Sequence, residues 1–234
     1  MKIAAIVPAA GQGRRLKTKT FKPFIRILGK PLLVHTLEAL KKSFDFMEII
    51  VAVAPAKLDE TLRLLRQHKL HGVRVVLGGR NRSGSVRNAL LNVSGDCDWV
   101  LVHDAARPFV DRVLVRRLLN VARATGAAIA ATPVTATVKR SGARKDVIFK
   151  TEDRERLFLA QTPQLFRKGL LAKRYRKLGA KALLCTDEAA LFDRSRVRVK
   201  IVPGDPKNIK ITAPEDIELF KFYSTDQRIS KGKS

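Results

Sequence analysis

The stretch Ala4–Phe24, AAIVPAAGQGRRLKTKTFKPF, decides how the rest of the chain is read. Ile3–Val7 is an apolar run of the kind found in strands buried on both faces. It ends in Pro8, Ala9, Ala10, Gly11 and Gly13, a segment with almost no side-chain bulk. Arg14 and Arg15 follow at once, and Lys22 comes after a polar stretch. Small residues let backbone N–H groups close on a polyanion, and the cations then neutralise its charge. The segment is neither a Walker A loop, which needs Gly-Lys-Ser/Thr, nor the three-glycine dinucleotide pattern. An ordinary strand-to-helix turn with a solvated basic surface also accommodates it. The order small–small–Gly-x-Gly-Arg-Arg, directly off a first strand, favours a nucleoside triphosphate over a dinucleotide.

Working outward, strands and helices alternate. Phe24–Leu28 reads as a short strand, and Gly29-Lys30-Pro31 as a turn with Pro31 at a helix start. Leu32, Leu33, Leu37 and Leu40 recur at helical spacing through Lys42. Glu48–Ala54 is a second buried strand, Lys57–His68 an amphipathic helix, and Val73–Leu77 a third strand ending in Gly78-Gly79. Ser83–Val93 reads as helix, Trp99–His103 as a fourth strand, Asp111–Thr125 as helix and Ala127–Pro133 as strand. This rhythm predicts an α/β fold with a mostly parallel sheet and helices on both faces. Ligands in such sheets sit beyond the carboxyl ends of the strands. That brings the Pro8 loop, Gly78-Gly79 and His103-Asp104 to one edge.

Residues 135–160 break the rhythm, with Gly142 between two alternating, β-branched or charged runs. They read as a long hairpin that is marginal in isolation and needs a partner. A floppy insertion and a dimerisation arm both fit, and the length favours the arm. Leu165–Lys177 reads as helix, as does Asp187–Asp193 with Thr186 as its N-cap. Val197–Val202 is a late strand. Ala213–Tyr223 is a helix opened by Pro214-Glu215-Asp216, and the chain is polar and frayed from Ser224 onward. One domain over residues 1–224 and a tail over 225–234 are expected.

Composition sets the outer bounds. A chain of 234 residues with 45% hydrophobic residues buries a full core. No apolar run is long enough to span a bilayer, and Pro8 and Gly11 break the N-terminal run, so no signal peptide is expected. Cys97 and Cys185 stand far apart without CxxC spacing, which argues against metal or disulfide roles and fits a reducing cytoplasm. Four isolated histidines form no zinc pattern. The formal net charge of +26 attracts polyanions: nucleotides, nucleic acid or acidic membrane surfaces. The cations are spread along the chain, so the excess reads as a property of the whole surface.

His103-Asp104-Ala105-Ala106-Arg107-Pro108 follows an apolar strand. Asp104 is thereby presented at the strand's carboxyl end, where a carboxylate can hold Mg²⁺ or a hydroxyl. Arg107 can fork onto a phosphate, or the two can simply pair with each other.

In order along the chain stand PAAGQGRR, Lys22, GGRNRSGSV, LVHDAARP, TPVTATVKR, Asp153-Arg154 with TPQLF, CTDEAALF and NIKITAPEDI. Together, from about residue 3 to about residue 223, they resemble the 2-C-methyl-D-erythritol 4-phosphate cytidylyltransferase family, the third enzyme of the non-mevalonate isoprenoid pathway. The resemblance implies a Rossmann-like nucleotidyltransferase fold, a three-layer sandwich with a protruding β-arm. It also implies a homodimer joined by that arm, Mg²⁺ or another divalent cation, CTP as donor, a sugar-alcohol phosphate as acceptor and pyrophosphate as product. Pro8, Ala9, Ala10, Gly11 and Gly13 would wrap the CTP phosphates, and Arg15 and Lys22 would stabilise the transition state at the α-phosphate. Gly79, Arg82 and Ser85 match positions near the cytosine, and Ala105 joins the CTP set. Asp104, Arg107 and Thr137 match the acceptor site, with Thr162 and Thr186 as nearby hydroxyl contacts. Arg154 and Lys210 match the pair that orients the acceptor phosphate, with Arg154 serving the partner's site. Asp104 is the candidate metal ligand.

Three positions depart from the pattern. Arg80 stands where an acidic residue is common, Phe21 where proline precedes the lysine, and Ala136 where aspartate precedes Thr137. Arg80 bears on base and ribose recognition. A ribitol 5-phosphate cytidylyltransferase shares fold and donor; Glu188-Ala189-Ala190 after Thr186-Asp187 resembles the methylerythritol group instead. A basic nucleic-acid-binding protein is the alternative of another class, against which stand few aromatics and no specific binding motif. Some relatives continue into a further pathway enzyme, and this chain ends soon after its last expected helix.

Overall fold

A computed structural model describes residues 1–11 and 21–231, with side chains described to residue 225. Gly13, Arg14 and Arg15 therefore lie outside the described residues. The elements run β1 (Ile3–Pro8), β2 (Arg26–Ile27), β3 (Lys30–Pro31), α1 (Leu32–Ser43), β4 (Glu48–Val53), α2 (Leu58–Gln67), β5 (Val73–Leu77), α3 (Arg82–Leu91) and β6 (Trp99–Val102). There follow α4 (Arg112–Thr125), β7 (Ala127–Pro133), β8 (Lys139–Ser141), β9 (Ile148–Thr151), β10 (Phe158–Arg167), α5 (Lys168–Leu178), β11 (Lys200–Pro203) and α6 (Pro214–Lys231).

Seven strands form one sheet in the order β11-β7-β10-β6-β1-β4-β5. All neighbours are parallel except β10, which runs antiparallel to both β6 and β7. The central strands β1, β4 and β6 are apolar along their length because both faces are covered. One face packs on α1, α2 and α4 through Leu33, Leu37, Leu64, Leu65, Leu114 and Leu118. The other packs on α3 and α5 through Val86, Ala89, Leu171 and Tyr175. The result is the expected three-layer α/β sandwich. A small third cluster, including Leu32, Ala106, Ile211 and Phe220, seats α6. No helix among the described residues is long and apolar enough to cross a membrane.

Several boundaries differ from the sequence reading. Leu165–Arg167 belongs to β10, and the helix opens only at Lys168, because Leu165 and Phe166 pair across the sheet with β6 and β7. Asp187–Asp193 is not a helix: a single 3-10 turn spans Ala189–Phe192. Thr186 does not cap it; the Asp187 carboxylate accepts from the Ala190 N–H at 3.0 Å. The late strand is Lys200–Pro203 and not 197–202. Arg26–Ile27 pairs with Lys30–Pro31, so Pro31 ends a small hairpin and the helix begins at Leu32. The last helix runs on through Ser224 to Lys231, past the expected fraying point. Residues 139–151 carry the expected hairpin, β8 against β9, exposed along most of its length and set apart from the main sheet.

Candidate active site

The carboxyl ends of β1 and β6, the loop before α3 and the Lys210 segment meet around a cleft of about 510 Å³. Pro8, Ala9, Ala10 and Gly11 form its floor, as expected. The Ala9 N–H donates to Ala52 O at 2.7 Å, which ties the loop to β4. A Cβ added at Gly11 would meet nothing within 4 Å, so the space over this glycine is open. Lys22, Gly79, Arg80, Arg82, Ser85, Asp104, Ala105 and Lys210 also line the cleft.

The loop entering α3 is held by its own contacts. Asn81 caps the helix, its Oδ1 accepting from the Gly84 N–H at 2.8 Å. The Gly79 N–H donates to Ser85 Oγ at 3.1 Å, and Ser85 Oγ donates to Asn81 O at 2.9 Å. A Cβ on Gly79 would stand 2.6 Å from the Gly84 backbone, so only glycine allows this approach. Ser85 thus shapes the loop through its hydroxyl, and Arg82 is the first residue of α3.

A second, smaller cavity of about 190 Å³ lies alongside, lined by Arg107, Thr162, Thr186, Gln161, Gln164 and Asp187. Arg82, Asp104 and Lys210 line both spaces and form the wall between them. Asp104 Oδ1 accepts from Arg82 Nε at 2.8 Å, and Oδ2 from Lys210 Nζ at 2.6 Å. Arg107 Nε stands 3.9 Å from Oδ2, so the Asp104–Arg107 pair is the weakest of the three contacts. Burial alone would raise the Asp104 carboxyl, but the Arg82 and Lys210 charges outweigh it and hold the group well below the usual carboxylate range. Asp104 is therefore an anion that orients cations.

Arg82 is gripped from its other side as well. Its Nη1 donates to both Glu188 oxygens, at 2.9 and 3.0 Å, and Glu188 is fully buried. The Tyr175 hydroxyl donates to Glu188 at 3.3 Å. Buried atoms Arg82 Nη2 and Arg107 Nε have no hydrogen-bond partner among the described residues. Buried guanidinium N–H groups call for an acceptor, and a ligand oxygen supplies one. Arg107 itself is anchored by Nη1 donating to Asn208 O at 2.7 Å.

The strand end that presents Asp104 is fixed by a relay. Fully buried His103 donates from Nε2 to Arg107 O at 2.8 Å, and its Nδ1 accepts from Thr162 Oγ1 at 3.2 Å. Thr162 Oγ1 in turn accepts from the Asp104 N–H at 3.0 Å. This assignment leaves the imidazole neutral, and burial pulls its pKa down to about 4.

Two expected residues do not reach the cleft of their own chain. Thr137 and Arg154 line neither cavity, both are exposed, and Arg154 Nη1 donates to Thr135 O at 2.6 Å. Glu188, Gln161, Gln164 and Asn208 were not singled out as site residues from the sequence. Glu188 lies 106 residues from Arg82, and its place inside the motif that marked the family was the one available signal.

Among the described residues five cations, Lys22, Arg80, Arg82, Arg107 and Lys210, thus line the two spaces against the carboxylates Asp104 and Asp187. Among the described residues no group of three or more metal-binding side chains occurs. Asp104 is the one acidic side chain lining the larger cleft. Each of its oxygens holds one cation and keeps a further lone pair. That donor set fits a divalent cation arriving on a triphosphate, which needs only one or two protein carboxylates.

The model of the 2-C-methyl-D-erythritol 4-phosphate cytidylyltransferase family matches residues 3–226. Curated relatives of that name include one from Solibacter usitatus, 38% identical over 97% of both chains. Another, from Mannheimia succiniciproducens, is 42% identical over 94% of this chain and 95% of its own. The crystal structure of 4-diphosphocytidyl-2C-methyl-D-erythritol synthase from Anaerococcus prevotii superposes with a TM-score of 0.82 at 32% identity, covering 96% of both chains. The cytidylyltransferase from Thermus thermophilus gives 0.75 at 33% identity, covering 94% of this chain and 97% of its own. Neither the ribitol 5-phosphate nor the nucleic-acid alternative is favoured by these matches. With the family model spanning nearly the whole length and relatives this similar, the chain belongs to the 2-C-methyl-D-erythritol 4-phosphate cytidylyltransferase family.

Proposed function

We propose that the chain transfers a cytidylyl group from CTP to 2-C-methyl-D-erythritol 4-phosphate, giving 4-diphosphocytidyl-2-C-methyl-D-erythritol and pyrophosphate. The observation that carries the reading is the wall shared by the two cavities. Arg82, Asp104 and Lys210 face a nucleotide-sized cleft on one side and a small polar space on the other. CTP occupies the larger space with its triphosphate over Pro8–Gly11, and the acceptor phosphate approaches from the smaller one. An acceptor phosphate oxygen attacks the α-phosphorus, and the bond from α-phosphorus to the bridging oxygen breaks. The electron pair leaves with pyrophosphate.

A phosphate monoester is already an anion at neutral pH, so the residues need supply no general base at the attacking oxygen. Their work is positioning and neutralising charge. Lys210, held by Asp104, and Lys22, at the cleft, face the charge that accumulates at the α-phosphate. Arg15 joins them from outside the described residues. Bound Mg²⁺ would supply further neutralisation of the triphosphate, with Asp104 the carboxylate placed to hold it.

The exposed arm supports a homodimer in which residues 135–160 exchange between subunits and Thr137 and Arg154 reach the partner's site. Val147, Ile148, Phe149, Phe158 and Leu159 are large apolar side chains exposed on and beside this arm. Apolar side chains left exposed in this number on one arm call for a cover. The two cysteines, without CxxC spacing, fit a reducing cytoplasmic compartment.

Pyrophosphate release, measured with CTP and each acceptor in turn, tests the reading. Methylerythritol phosphate should support turnover and ribitol 5-phosphate should not. CTP should be strongly preferred over ATP and GTP, because the compact Gly79–Ser85 loop leaves room for a small base. Equal turnover of a purine triphosphate, or release with ribitol 5-phosphate alone, overturns the assignment.

A further inference from the structure

The catalytic cleft accounts for only a few of the cations behind a charge of +26. A second concentration lies at the opposite, amino end of the edge strand β11. Over residues 194–200, RSRVRVK, exposure alternates residue by residue. Arg194, Arg196, Arg198 and Lys200 face solvent, while Val197 and Val199 pack on the core beneath α5. Arg194 stands in a turn with φ +53°, the chain bends through Val197, and only Lys200 belongs to β11, so the four cations lie on the short segment that leads into the edge strand.

The stripe continues onto α5. This helix packs beside the preceding turn, where Arg174 Nε donates to Leu191 O, and it exposes Lys173, Arg176 and Lys177. None of these seven outward cations forms an ion pair among the described residues. Asp193 is the one exposed carboxylate between residues 167 and 200. None of the seven lines the catalytic cleft or its smaller neighbour.

We propose that this face binds the phosphodiester backbone of a nucleic-acid duplex, without reading its sequence. Three of the four stripe residues are arginine, whose planar fork matches phosphate oxygens. Charge placed only to guard a sheet edge against self-pairing needs no such fork, and lysine serves it. The aromatic residues of the stretch, Tyr175 and Phe192, are both buried, so no platform exists here for stacking single-stranded bases. A bilayer surface fits less well. Leu184 and Ile201 are the only large apolar side chains exposed between residues 167 and 203, where interfacial anchoring takes a continuous apolar face.

Anisotropy of labelled random-sequence DNA and RNA duplexes of about 20 base pairs, titrated with the whole chain between about 50 and 200 mM salt, tests the proposal. Replacing Arg194, Arg196, Arg198 and Lys200 with Gln together should weaken binding at least about tenfold, and should lower the magnitude of the salt slope by about 3.6, at 0.9 for each lost contact. A control that changes Lys42, Arg63, Arg66 and Lys69 to Gln removes the same charge from exposed positions on α1, on α2 and just after α2. It should change affinity less than about twofold. Pyrophosphate release should be unaffected in both, which establishes that they fold. The single Arg196→Glu variant, which leaves strand pairing untouched, should shift affinity in the same direction as the quadruple change. Equal loss in stripe and control variants overturns the proposal in favour of diffuse attraction. Stripe-dependent binding to phosphatidylserine vesicles with none to either duplex overturns it in favour of a membrane surface.

Discussion

Acidification should destabilise this protein through His103. The imidazole is completely buried and its pKa falls from 6.5 to about 4. The native state therefore binds fewer protons than the unfolded chain between these two values. Stability must fall as pH falls through that window, and the loss is complete once the pH is below the folded value. The difference is worth about 3 kcal/mol between pH 7 and pH 4. For a chain of this length that lowers the melting temperature by roughly 6–12 °C. The contribution is isolated by comparing wild type with His103→Gln. The glutamine amide can donate to Arg107 O as Nε2 does, and it has no charge to gain. Thermal or urea unfolding at pH 7, 6, 5 and 4 measures both proteins. Burial also lowers His35, which adds its own slope, but equally in both, so the difference belongs to His103. The variant should start less stable at pH 7, having lost the Thr162 contact, and should lose less on acidification. If both proteins show the same slope between pH 7 and 4, His103 is not the titrating group and the relay to Asp104 has been wrongly assigned.

Other outcomes bear on the chemistry and the assembly. Lys22→Ala should lower kcat by about a hundredfold with CTP still bound, because a fixed cation at the cleft stabilises the transition state more than the ground state. Lys42→Ala, removing the same charge from the exposed end of α1, is the control; matching steady-state kinetics for the two would refute a catalytic role. Glu188→Gln keeps the shape but strips Arg82 of one of its two carboxylates, and should cost about 3 kcal/mol of stability, at the low end for a broken buried pair because Asp104 remains. A melting temperature within a degree or so of wild type would show that Asp104 alone suffices. Mixing Arg154→Ala chains with Lys22→Ala chains should restore part of the activity; mixed dimers that form yet stay inactive would place Arg154 outside the partner's site.

Much of the sheet was legible because β1, β4 and β6 are covered on both faces, and such strands must be apolar throughout. β10 was read wrongly for the opposite reason. Gln161, Thr162 and Gln164 are buried polar residues in mid-strand, where they wall the smaller cavity, and they mask the pattern of a central strand. The turn at 187–193 misled in a related way. Asp187 supplies a helix-capping contact, but Glu188 points into the core toward Arg82, and the chain makes only one 3-10 turn. Polarity after Ser224 was read as fraying, whereas α6 continues; composition reports burial and not backbone conformation. Of the site, loops that follow strand ends could be placed from order alone. The clamp of Arg82 between Asp104 and Glu188 joins segments 22 and 106 residues apart, a distance no local pattern spans.

β10 leaves the molecule with a constraint on how it can change over evolutionary time. Phe158–Ala160 pairs with Pro133–Ala131 at the foot of the arm, and Gln164–Phe166 pairs with Ile129–Ala127 in the core, with a register shift between the two halves. Side chains alternate faces along a strand, so slipping one residue turns every later one over. A residue gained or lost between Ala160 and Gln164 would turn Leu165 and Phe166 away from their core faces, or move Thr162 off the Asp104 amide. A residue gained at the hairpin tip between β8 and β9 disturbs neither. Length variation among relatives should therefore collect at residues 142–147 and be absent from 158–167, although both segments belong to the same excursion of the chain.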